Sequence, residues 1–103
     1  MPSAINVKPN KWTNIQVLFD NGEYSVVMGD FEGTLCLGER WNGSENEVGY
    51  PNQGNNPLWH VIHEFFSIPI LHKLLDLHLR TNTIDDEKIN LILLALREFQ
   101  ESN

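Results

Sequence analysis

Hydrophobic positions from Tyr24 to Trp41 keep a period of two, after a first segment of strand composition. Ile15, Val17, Leu18 and Phe19 give a segment of strand composition, and the following Asp20, Asn21 and Gly22 tolerate the positive φ of a tight hairpin. Tyr24 to Gly29 reads as the next strand, with Tyr24, Val26 and Met28 on one face and Ser25 and Val27 on the other. Asp30 to Gly33 supplies the next turn. Between Thr34 and Trp41 the alternation continues: Leu35, Leu37, Glu39 and Trp41 project one way, Thr34, Cys36, Gly38 and Arg40 the other. Three strands joined by short turns predict an antiparallel meander.

From Asn42 to Pro57 the pattern lapses into Gly, Asn, Ser, Glu and Pro, with Val48 and Tyr50 as the apolar exceptions. Loops of this length without regular structure are uncommon in compact domains and are often either functional or mobile. Leu58 to Ile62 is apolar enough for a fourth strand, pairing with the first or the third, and His63 to Phe66 suits a single helical turn. Thereafter the period becomes helical. Ser67 is the expected cap of a helix with Pro69 in its first turn. On that helix His72, Lys73, Asp76 and Arg80 make a polar stripe opposite Leu71, Leu74, Leu75 and Leu79. Thr83 and Asp86 resemble a capping box for a second helix, with Asp85, Asp86 and Glu87 favourable at its N-terminus. The expected fold class is α+β: an N-terminal antiparallel meander of three to four strands followed by two C-terminal α-helices packed on it. Residues 1–11 form a loose arm, 12–62 the sheet and 67–101 the helical pair.

The second helix is apolar beyond one face. Ile89, Ile92, Leu93, Leu96 and Phe99 make the core-facing stripe, and Leu91, Leu94 and Ala95 widen it. A burial of one leucine is worth about 1.5–3 kcal/mol. A homodimer or higher homo-oligomer is therefore expected, with Leu91, Leu94 and Ala95 at its interface.

The length of 103 residues suits a single domain. The net charge of −7 is spread over both halves of the chain, with no basic stripe, which argues against nucleic-acid binding and against an anionic membrane surface. Cys36, the single cysteine, cannot form an internal disulfide and fits a reducing compartment. Before Trp12 there is no apolar run like a signal peptide, and no 18-residue apolar stretch occurs, so a cytoplasmic location is expected.

Among candidate chemical groups, His60 and His63 stand three apart, a spacing that on a helix would place both imidazoles on one face. In His60, His63 and Glu64 the order matches no metalloprotease motif, and on a strand the two histidines face opposite ways. Structural or surface histidines are the commoner explanation. His72 and Asp76 could pair on the first helix, and His78 sits at the edge of its apolar face. Ser44 lies in no nucleophile elbow, Cys36 suits a small buried hydrophobe, and Gly43, Gly49 and Gly54 lack the Lys and Ser or Thr of a phosphate loop. No catalytic constellation, metal site or cofactor motif emerges. The set best suited to a ligand is Arg40, Trp41, Tyr50, Gln53, Trp59 and His60, which could converge at one end of the sheet. Against it stands a plain alternative, in which Trp41 and Trp59 are core and Arg40 pairs with an acid.

Leu37 to Gly43, Gly49 to Pro51, Asn55 to Trp59 and Glu64 with Phe65 resemble small uncharacterised bacterial proteins, some carried on integron gene cassettes. The likeness spans residues 15–75. In relatives Pro often stands where His63 does, which counts against a ligating role for His63. The resemblance implies a mobile accessory protein, cytoplasmic and oligomeric, and brings no activity. A non-enzymatic interaction or binding module is the leading expectation, with a protein partner as one form of it. The alternative is a small-molecule binder or modest enzyme near Arg40, Tyr50, Trp59, His60 and Glu64.

Overall fold

Alternating segments need a partner on each side for their backbone groups, and three consecutive ones find it in each other. The computed structural model of the chain describes residues 11–44, 46–53, 56–80 and 86–102. Strands β1 (Trp12–Asp20), β2 (Tyr24–Phe31) and β3 (Thr34–Trp41) form the meander. Two short strands follow, β4 (Asn52–Gln53) and β5 (Asn56–Pro57), paired only with each other. Strand β6 (His60–Ile62) returns antiparallel to β3, giving the sheet order β1-β2-β3-β6. Helices α1 (Ser67–Arg80) and α2 (Asp86–Ser102) complete an α+β fold.

The β1–β2 turn uses side chains to close itself. Asp20 accepts from the Gly22 amide, and Asn21 Oδ1 accepts from the amides of Glu23 and Tyr24. The β2–β3 turn is tighter than expected: β2 runs through Phe31, leaving only Glu32 and Gly33 at the bend. A register shift between Val17 and Phe19 falls at Leu18, so that Leu18 joins the core on the helix side and Phe19 packs against it. The carbonyls of Val17 and Leu18 at this irregularity are met from the helices, by Lys88 Nζ at 2.7 Å and by His78 Nε2 at 3.0 Å.

Alternation gives the sheet two apolar faces. On one, Leu18, Val26, Met28, Leu37 and Ile62 pack against Leu71 and Leu74 of α1 and Ile92, Ala95, Leu96 and Phe99 of α2. On the other, Trp12, Val27 and Trp59 form a smaller core. A side chain at Gly38 would put its Cβ 2.8 Å from the Trp12 ring and 3.3 Å from the Trp59 Cβ, so the glycine leaves the room that the Trp12 indole fills.

Several expectations are revised. The fourth strand is shorter than Leu58–Ile62 and pairs with β3. The segment 42–57 contains the β4–β5 pair. Ser67 is not a cap: a 3₁₀ turn over Glu64–Phe66 leads into α1, Ser67 is already helical and buried, and His63 Nδ1 accepts from the Phe65 amide. Leu79 lies outside the core, 60% exposed, because the face of α1 that packs inward is centred on Leu71 and Leu74. Asp76 bonds Arg80 at 2.8 Å, one turn along. Ala95 is wholly buried inside the monomer and Leu91 packs against the same core, which leaves Leu94, 47% exposed, as the surface member of the expected interface trio. Thr83 of the expected capping box, and residues 1–10 of the arm, lie outside the described residues. Among those described, no helix is long and apolar enough to cross a membrane.

Candidate functional site

Residues paired across antiparallel strands share a face, so the register defines rows of side chains. Met28, Leu37 and Ile62 form one row, and Val26, Glu39 and His60 the next. Tyr24 pairs with Trp41, which in turn bridges Tyr50 beyond the end of β3. The first row lies under the helices. The last remains open, with Trp41 59% and Tyr50 67% exposed.

This open end holds a cleft of about 210 Å³ lined by Tyr24, Glu39, Arg40, Trp41, Tyr50, Pro51 and His60. The Tyr24 and Trp41 rings are 5.1 Å apart and inclined at 54°. Tyr24 Oη donates to Glu39 Oε1 at 2.7 Å, and His60 Nδ1 lies 3.4 Å from Glu39 Oε2. Burial pushes the Tyr24 phenol well above its usual range, and the hydrogen bond and charge of Glu39 push it further the same way. Tyr24 is thus held protonated with its hydrogen directed at Glu39.

The cleft's outer wall is fastened by backbone and by a buried cation. Trp41 and Tyr50 exchange amide-to-carbonyl hydrogen bonds of 2.7 and 2.8 Å. Arg40 points to the opposite face from Trp41, as strand geometry requires, and is 1% exposed. Its Nη1 donates to the Leu58 carbonyl at 2.9 Å and its Nη2 to the Val48 carbonyl, while the guanidinium lies 5.9 Å from the Trp59 ring centroid. Desolvation lowers its pKa. One arginine therefore ties both limbs of the 42–59 segment to β3. At its base, buried Asn42 bridges Ser25 at 2.8 Å and Asp20 at 3.2 Å. Gly49 completes the fastening: its φ is +81°, and a Cβ there would overlap the Trp41 carbonyl and stand 2.6 Å from Arg40 Nη2.

Of the residues singled out from sequence, Trp41, Tyr50 and His60 line the cleft together. Arg40 borders it but spends its Nη groups on loop carbonyls. Trp59 is buried in the opposite core, Gln53 is exposed on β4 away from the lining, and Glu64 is exposed in the 3₁₀ turn. His60 sits on the strand and His63 on the turn, so the pair does not share a helix face. Among the described residues no group of three or more His, Cys, Asp or Glu is arranged to hold a metal ion. Sequence reasoning missed Tyr24, Glu39 and Pro51. The signal for the first two was present: Glu39 shares the Trp41 face of β3, and Tyr24 leads the matching face of β2.

The chain matches no family model, and comparison with curated proteins and with solved structures finds no significant match.

Proposed function

We propose that the protein is a non-enzymatic binding module, a homo-oligomer that receives its ligand or partner at the cleft beside the end of β3. The observation that carries this reading is the open row Tyr24, Trp41, Tyr50. Two large rings are left exposed while the backbone beneath them is fixed by a bridge, a buried arginine and a glycine without room for a Cβ. Such preorganisation lowers the entropy lost on binding. A volume of about 210 Å³ falls below the roughly 300–1,000 Å³ of sites for drug-sized molecules, and suits a small ligand or one anchoring side chain. The reading also follows from what the lining groups do. Tyr24 holds its proton against Glu39, and Cys36, whose thiol is pushed up by burial and then by Asp30 and Glu64, is no lining residue.

Fragment screening by amide chemical shifts tests the site. Perturbations gathered at Tyr24, Trp41, Tyr50 and His60, and lost in Trp41→Ala, are expected; shifts that avoid these residues, or persist in the variant, refute it. Oligomerisation draws support from Leu93 and Leu94 on α2, both about half exposed at 48% and 47%, where a monomer would leave apolar area in water. Light scattering should give a dimer or larger mass for the native chain and a smaller one for Leu94→Asp. A monomeric native chain removes this part of the proposal. A reducing, cytoplasmic setting accords with the lone thiol of Cys36.

A further inference from the structure

We infer that the cleft takes an organic cation, an ammonium or guanidinium group, seated against the Glu39 carboxylate among the rings of Tyr24, Trp41 and Tyr50; this rests on the binding role proposed above. Aromatic faces carry negative electrostatic potential and attract cations brought within about 6 Å of the ring centroid. Here three such rings belong to one row, and a carboxylate lies in the adjoining row between Val26 and His60. Glu39 is 34% exposed, and its two oxygens offer about four acceptor positions, against one Tyr24 hydroxyl at 2.7 Å and one imidazole nitrogen at 3.4 Å. Acceptor capacity therefore remains on a carboxylate that lines the cleft.

The arginine beside the cleft does not reverse its sign. Arg40 is among the cleft's lining residues, but its Nη1 and Nη2 donate to the Leu58 and Val48 carbonyls, so it does not present its fork to an anion. An anionic ligand would meet Glu39 directly, across a surface whose net charge is −7. Tyr24 is also spent as a donor, because its proton is on Glu39. A neutral polar ligand would find donors on Trp41, Tyr50 and His60 but would leave the Glu39 charge without a counterpart. The small volume admits the head of the cation and little more, which fits a free quaternary or primary ammonium as well as the end of a lysine or arginine side chain.

The test is a titration of the full chain followed by amide shifts, at low ionic strength so that screening does not mask the charge. Choline is compared with its uncharged carbon isostere 3,3-dimethylbutan-1-ol and with butyrate, and each titration is repeated in Glu39→Gln and Trp41→Ala. Choline is expected to bind with a dissociation constant on the order of millimolar and to outbind its isostere by about tenfold, the discrimination disappearing in Glu39→Gln. In that variant the amide oxygen can still accept from Tyr24, so the fold is kept, and unchanged amide dispersion verifies it. A second arm uses blocked tripeptides with central lysine, arginine or norleucine. Tighter binding of choline assigns the site to a free cation, and tighter binding of the lysine or arginine peptide to a partner's side chain; both support the inference. Equal binding of choline and its isostere, with Glu39→Gln indifferent and Trp41→Ala weakened, overturns the cation while leaving the binding cleft standing. Absence of shifts at the cleft with every probe overturns both.

Discussion

Replacing Gly49 by alanine separates two effects that are usually confounded. The residue has φ +81°, where an L side chain loses about 1–2 kcal/mol from backbone strain alone. At Gly49 there is in addition no space, since the Cβ would overlap the Trp41 carbonyl and approach the Asn42 carbonyl carbon to 2.6 Å, and backbone atoms cannot swing aside as a side chain can. The cheapest relief is release of the Trp41–Tyr50 bridge, two hydrogen bonds worth about 1 kcal/mol each. The expected destabilisation is about 3–4 kcal/mol before any loss at Arg40, which for a domain of this size lowers Tm by roughly 12–30 °C. Gly33 provides the control, because its φ is +86° with nothing within 4 Å of the added Cβ. Gly33→Ala should show the strain alone. Thermal denaturation of both variants, with amide exchange at Trp41 and Tyr50, makes the comparison. If Gly49→Ala falls within about 1 kcal/mol of Gly33→Ala, or retains slow exchange at Trp41, the proposed fastening of the cleft wall is wrong.

Other perturbations probe the remaining parts of the structure. Trp12 is 6% exposed, packs on Phe31 at 5.3 Å and lies over Gly38, so Trp12→Ala should cost about 3–5 kcal/mol in denaturant unfolding, and a loss under ~1 kcal/mol would deny the second core. Asn42→Asp turns the donor that meets Asp20 into an acceptor and puts two carboxylates together beside buried Ser25; about 2–3 kcal/mol should be lost at neutral pH. Two carboxylates in contact repel only when both are charged, so the loss should shrink as they are protonated on acidification. Stability curves against pH should therefore converge with those of the native chain on acidification; a deficit independent of pH contradicts this. Tyr24 has a raised folded pKa, so the stability it contributes is full below the ordinary phenol value of about 10 and disappears as pH climbs through the folded value. In a Tyr50→Phe background, tyrosinate absorbance should appear late, and earlier but still delayed in Glu39→Gln because burial is the larger cause. Ionisation at the ordinary value would rule out the Tyr24–Glu39 bond.

Much of the fold follows from local pattern. Alternation in 24–29 and 34–41 correctly assigned the faces of Tyr24, Val26, Met28, Leu37, Glu39 and Trp41, and each turn carried its Asn, Asp or Gly at the bend. The pairing of the short strand His60–Ile62 did not, since an edge strand's choice of neighbour depends on how the preceding segment is fastened. Here that fastening is Arg40, whose burial no pattern rule suggests: a cation on a strand normally reads as surface. The expected site residues are legible in part: Arg40, Trp41, Tyr50 and His60 line the cleft, while Glu39 and Tyr24, on the Trp41 face of the sheet, follow from the same alternation. On helix α2, Leu91 and Ala95 find cover inside the monomer against elements far away in sequence, while Leu93, expected on the core-facing stripe, is 48% exposed beside Leu94.

The most direct measurement is the set of intermolecular nuclear Overhauser effects from the choline methyl protons in the complex with the full chain. The account predicts cross-peaks to the indole of Trp41 and the rings of Tyr50 and Tyr24. Cross-peaks to Phe65 and Phe66 instead, the exposed ring pair of the 3₁₀ turn, would contradict it.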